Sequence, residues 1–183
     1  MHTDENTGRI LLPIARAAIA QALGLTQTAD ESAPWLAENG ACFVTLTQFG
    51  QLRGCIGSLH PYRPLLADVK GNAVASAMHD PRFHPLAADE LAMTQIEISL
   101  LSPSEPLHYL SEEDALAQLR PGVDGIIFSF DGYRSTFLPQ VWEQLPEPYE
   151  FMAHLKRKAG LRGDFWAPGV QLSRYTVSKF SEE

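Results

Sequence analysis

The sequence predicts an α+β fold: mainly antiparallel sheets with flanking helices, arranged as two similar β-β-α-β halves. Three observations carry this. The 183 residues, 45% of them hydrophobic, suffice for one domain with a real core and fall short of two independent large ones. Two turn signals, Phe49-Gly50 and Asp131-Gly132, each sit between runs rich in β-branched and aromatic residues. After each hairpin a proline opens a helical stretch and another strand follows, so the order strand, turn, strand, helix, strand occurs twice. The expected organisation is one domain over 1–183, with approximate halves 41–102 and 124–180 and a leading helix over 8–23.

That leading helix rests on Ile10, Leu11, Ile14, Ala18 and Leu23 at near-helical spacing, with Gly24 just past its C-cap. Pro13 then has to lie near its first turn. Residues 25–40 are polar and read as a connection. ACFVTLTQ and LRGCIGSL form the first hairpin. Pro64 opens a helix with an apolar stripe of Leu65, Leu66, Val69, Ala73, Val74, Ala77 and Met78. It stops near His79, because Asp80 precedes Pro81 and is driven out of helical geometry. DPRFHPL is a loop, and TQIEISLL is a strand with Ile96, Ile98 and Leu100 on one face.

Ser111 caps a small helix. Gly125–Phe130 and Tyr133–Leu138 make the second hairpin. Pro139 opens a short helical stretch with Val141 and Trp142, and 148–159 is a helix stopped by Gly160. VQLSRYTVSKF alternates as one final strand.

Composition narrows the function classes. A net charge of −8 disfavours generic nucleic-acid binding. The local basic cluster Lys156-Arg157-Lys158 with Arg162 reads as the solvated, dipole-matched end of a helix. No apolar run is long enough to span a membrane. MHTDENTGRI lacks the layout of a signal peptide, and cytoplasmic location is the expectation. Two cysteines, Cys42 and Cys55, neither frame a disulfide network nor supply a structural zinc or iron–sulfur site by themselves. No cofactor or metal site is expected. Phosphate-binding loop, nucleophile-elbow and H-E-x-x-H signatures are absent.

LRGCIG at 52–57, DPRF at 80–83, FLPQV at 137–141 and KAGL at 158–161 occur in the order seen in the AMMECR domain family, also described as AmmeMemoRadiSam system protein A. The resemblance spans nearly the whole chain. It implies a larger and a smaller lobe, with the LRGCIG strand lining a cleft. It also implies association with a Memo-like protein and a radical S-adenosylmethionine enzyme, but no established reaction.

Within LRGCIG, a four-residue loop over 48–51 pairs Thr47 with Leu52 and sets Val44 opposite Cys55. Arg53 and Cys55 then share one face, roughly 7 Å apart, near enough for the guanidinium to activate the thiol. Gly54 and Gly57 leave the backbone bare for a ligand. The same register puts Val44 and Leu46 beside Cys55, which also suits an inert core thiol, and a glycine bulge would shift the register by one. Cys42 falls diagonal to Cys55, in a geometry that argues against a disulfide.

A nucleophilic cysteine needs a base, and His79 or His84 could fold back to supply one. Either also suits a capping or surface histidine. Asp80 ends a helix and Arg82 pairs with a carboxylate; with Arg53, Arg82 also suits a small anionic ligand. Glu97 is either solvated or a partner for these arginines. Gln140 is a candidate polar contact from the second half. The candidate set is therefore Cys55 as catalytic residue, with Arg53, Gly54, Gly57, Asp80, Arg82, His84 and Gln140 as ligand-binding residues. Two function classes fit: a small-molecule-binding enzyme or enzyme component, and a non-catalytic adaptor for a peptide or partner protein.

Overall fold

The computed structural model describes residues 5–182; residues 1–4 of the polar opening stretch and residue 183 lie outside it. The chain divides into two units, the larger formed by Met1–Leu101 with Ser178–Glu183 and the smaller by Ser102–Val177. The fold is α+β with antiparallel hairpins. Among the described residues, no helix is long and apolar enough to cross a membrane.

The first unit begins with α1 (Glu5–Ala22). It starts three residues earlier than the sequence pattern suggests, so Pro13 lies inside it rather than in its first turn. The apolar face carries the helix through this break: Leu11, Ile14, Ala15, Ala18 and Ile19 are all buried, and each buried leucine or isoleucine contributes about 2 kcal/mol. Gly24, at φ 79°, closes the helix. Its N–H bonds the Gln21 carbonyl and the Leu25 N–H bonds the Ala20 carbonyl, the paired C-terminal closure that a left-handed residue permits.

Next come β1 (Asn39–Gly40), β2 (Cys42–Gln48), β3 (Gln51–Gly57), β4 (Arg63–Pro64), α2 (Leu65–Met78) and β5 (Thr94–Leu101). The short β1 pairs antiparallel with β4. The main sheet has the order β10-β5-β2-β3, where β10 is Val177–Ser181. Helices α1 and α2 pack against one face of it. Val44, Leu46, Ile96, Ile98 and Leu100 point into that core with Leu65, Val69 and Ala73.

The turn between β2 and β3 is tighter than expected. Gln48 pairs with Gln51, leaving only Phe49 and Gly50 in the loop, both with positive φ. The register then shifts between Leu46 and Thr47: Thr47 faces Leu52 and Leu46 faces Gly54, so Arg53 is the extra residue of a bulge. Cys55 consequently lies opposite Thr45, not Val44. That one-residue slip turns it onto the face away from the core.

The second unit contains β6 (Glu105–Pro106), α3 (Glu112–Gln118), β7 (Gly125–Phe130), β8 (Tyr133–Phe137), α4 (Pro148–Lys158) and β9 (Gln171–Tyr175). Its sheet order is β6-β9-β7-β8. In each sheet the first hairpin strand pairs with its hairpin partner on one side and with the strand after the helix on the other. Ser111 caps α3 by accepting the Asp114 N–H. The Trp142 and Phe151 rings stack at 3.8 Å in the core.

Lys156 is not solvated: it is 1% exposed, ion-paired with Glu112 and seated over the Trp166 ring. The neighbouring cations disperse, Lys158 donating to the Thr136 carbonyl and Arg162 pairing with Asp164. The final strand is also two strands. Thr176 interrupts it, exchanging reciprocal 2.9 Å hydrogen bonds with Ser102, and β10 goes to the first unit's sheet.

Candidate functional site

The LRGCIG strand β3 lies at the edge of its sheet, and a ladder of buried polar groups on α2 and just after it ties down β2, β3 and the residues that follow β3. Asp68, Asn72, Ser76 and Asp80 recur at four-residue spacing, and none is more than 4% exposed. Asp68 accepts the Cys42 N–H at 2.9 Å and the Ser58 hydroxyl at 2.6 Å. Arg63 Nε adds a third bond to it at 2.8 Å. Asn72 donates to the Cys42 carbonyl at 3.0 Å. The Ser76 hydroxyl accepts the Ile56 N–H at 2.9 Å and donates to the Val44 carbonyl at 2.7 Å. The Ser76 hydroxyl thus bridges two paired strand residues. Asp80 accepts the Cys55 N–H at 2.9 Å.

Asp80 also receives Arg82 through its backbone N–H, Nε and Nη2. The ion pair closes at 2.7 Å, with the carboxylate buried and the guanidinium half exposed. Bonding from Arg82, aided by the two backbone N–H groups, holds the Asp80 carboxyl well below the usual carboxylate range against the opposing effect of burial. Arg82 Nη2 reaches back to the Cys55 carbonyl at 3.3 Å. Both polar groups of the Cys55 peptide are therefore held by the DPRF loop.

Cys55 is partly buried on the face away from α1 and α2, where its sulfur accepts the Thr45 hydroxyl at 3.3 Å. Cys42 differs completely. It is 0% exposed on the opposite face, and burial first, then Asp68, pushes its thiol far up. The diagonal placement expected for the two cysteines does not occur, because the bulge separates their faces. Both are free thiols.

The glycines of the motif also have occupied surroundings. A Cβ on Gly54 would lie 2.2 Å from the Ser76 carbonyl oxygen, and one on Gly57 would lie 2.2 Å from the Phe43 ring. The space read as clearance for a ligand is filled on that side by α2 and by Phe43.

Arg53 binds Glu90 through Nε and Nη2, each at 3.0 Å, and the His84 carbonyl through Nη1 at 2.9 Å. Bonding from Arg53, followed by the Ala87 N–H, lowers the Glu90 carboxyl to about 2. Arg53, Pro81, Arg82, Phe83 and His84 line a depression of about 390 Å³. Each arginine brings its own carboxylate, so the depression carries two neutralised pairs in place of two uncompensated cations.

The remaining candidates scatter. The rings of His79 and His84 are exposed, and Thr45 is the side chain on the Cys55 sulfur. Among the described residues no three His, Cys, Asp or Glu groups are arranged to hold a metal ion. Glu97 binds Ser181 and faces Lys179. Gln140 is exposed in the second unit, on the short helical turn Pro139–Glu143. Sequence reasoning missed Thr45, Glu90 and the polar ladder. The ladder had a signal: Asp68, Asn72, Ser76 and Asp80 recur every four residues beside the apolar stripe.

The AMMECR1 family profile matches residues 12–180. Protein MJ0810 of Methanocaldococcus jannaschii is 35% identical over 184 residues, covering 96% of this chain and 90% of that one. A protein of Methanothermobacter thermautotrophicus is 36% identical over 181 residues, covering 96% and 94%. The crystal structure of the uncharacterized protein PH0010 from Pyrococcus horikoshii superposes with a TM-score of 0.79 at 32% identity, covering 98% of this chain and 93% of that chain.

Proposed function

The chain belongs to the AMMECR1 family, and on that premise we propose that it binds a small substrate beside Cys55 on the face of its first sheet away from α1 and α2. The observation that carries this reading is the setting of Cys55. Cys55 is half-buried outside the core and its sulfur accepts a hydroxyl, while its peptide is fixed at N–H by Asp80 and at C=O by Arg82. A thiol held this firmly outside the core is preorganised for contact with a ligand.

In this reading Cys55 and Thr45 touch the substrate. Arg53, Arg82 and His84 supply the adjoining wall, and Gly54, Gly57 and Asp80 keep the strand in place. The chain would work as an enzyme component, receiving substrate from or passing it to Memo-like and radical S-adenosylmethionine proteins. The adaptor alternative is less well supported at this strand, since the outer edge of β3 is already engaged by Asp80 and Arg82.

The test is iodoacetamide alkylation of native protein from pH 6 to 9, with peptide mapping. Reaction at Cys55 alone is expected. A Cys55 that stays unmodified until the protein unfolds overturns the proposal.

A further inference from the structure

We infer that the groove between α1 and β10 docks an extended peptide, which adds as a strand to β10 and sets a carboxylate on Arg9. The site is separate from the Cys55 face and does not rest on the function proposed for it.

Four observations converge. First, β10 ends the sheet order, and among the described residues no strand pairs with its outer side. The other end of this sheet is handled differently, because Asp80 and Arg82 occupy the Cys55 peptide of β3. Lysine is a common device for blunting an edge, but Lys179 faces back across its own sheet to Glu97, 3.8 Å away. Second, a groove of about 780 Å³ runs beside this strand, walled by Leu12, Pro13 and Phe180. An edge strand beside a helix-walled groove is the geometry used for strand addition, in which alternate side chains of the ligand enter the groove.

Third, Pro13 has no N–H, so the Arg9 carbonyl one turn earlier lacks its regular helical donor at the groove wall. That leaves an acceptor for a donor from outside. Fourth, Arg16 in the groove is fully committed to Glu182 and the Leu91 and Thr94 carbonyls, whereas the exposed Arg9 has no ion pair among the described residues. The cation asks for an acidic ligand. A second copy pairing through its own β10 would not provide one, because Val177–Ser181 contains no carboxylate and Glu182 is held by Arg16.

The experiment uses the full chain, isotope-labelled for amide NMR, with three capped peptides: Val-Glu-Val-Glu-Val, Val-Lys-Val-Lys-Val, and the glutamate peptide with N-methylated backbone. The glutamate peptide is expected to shift the amides of Val177–Glu182 and of Arg9 and Leu12. Binding should weaken about tenfold with the lysine peptide, with the N-methylated peptide, and with Arg9→Glu. Cys55→Ala should leave it unchanged, which separates this site from the thiol face. Absence of β10 shifts with the glutamate peptide overturns the inference. So does equal binding by the N-methylated peptide or by Arg9→Glu, and so does a concentration-dependent dimer in sedimentation that excludes the peptide.

Discussion

The Asp80 carboxylate accepts the backbone N–H of Cys55 at 2.9 Å, so the first residue of DPRF is bonded to the centre of LRGCIG. The two motifs form one structural device. Asp80 orients Arg82, Arg82 returns to the Cys55 carbonyl, and the thiol projects from a peptide fixed on both sides.

Replacing Asp80 with Ala should therefore uncouple the motifs. It strands the Cys55 N–H and removes the partner of Arg82, at a cost of about 2–3 kcal/mol. Urea unfolding measures the loss, and alkylation of Cys55 should quicken as its strand loosens. Unchanged stability would show that the bond is incidental.

Ser76→Ala tests the relay between β2 and β3. Without the hydroxyl, the Ile56 N–H and the Val44 carbonyl lose their shared partner. The expected destabilisation is about 1–3 kcal/mol. Hydrogen exchange at the Ile56 amide should accelerate more than at the Thr45 amide on the neighbouring strand. Equal acceleration would point to general loosening.

Gly54→Ala places a methyl against the Ser76 carbonyl, which is backbone and cannot rotate away. Separating α2 from β3 should cost about 1–3 kcal/mol or more. Gly50→Ala meets no atom within 4 Å and suffers only from its φ of 76°, so it should cost about 1 kcal/mol. Comparable midpoints for the two variants would contradict the close approach seen here.

Acid should unfold the first unit through its carboxylates. Asp80 and Glu90 both bind protons less readily when folded, Asp80 because of Arg82 and Glu90 because of Arg53. Their stabilisation is fully present above the unfolded values of about 4 and is lost as pH falls toward 2. Unfolding free energies measured at pH 6, 4 and 3 should decline, and Glu90→Gln should flatten that slope. A slope the same in both proteins would exclude Glu90.

Much of this architecture is legible in the residues. Turn chemistry marks both hairpins, and glycine marks the ends of α1 and α4, because few side chains tolerate positive φ. The break at Thr176 is not legible: alternation continues through VQLSRYTVSKF, and period alone does not say which sheet a strand joins. Arg53 shows why the site was harder still. A single bulged residue inverts every facing beyond it; the motif's glycines raise that possibility, but a two-residue period does not say whether or where the bulge falls. Lys156 likewise sits among cations at a helix end, where only the three-dimensional proximity of Glu112 makes burial tolerable.

The return of β10 to the first sheet has a consequence for synthesis. Residues 178–181 leave the ribosome after all of the second unit. Until then the first sheet holds only β5-β2-β3, with β5 as a bare edge, and Arg16 lacks Glu182. A nascent chain that has released β5 but not yet β10 would carry an open, apolar-backed strand, the species that chaperones capture and that aggregates when they do not.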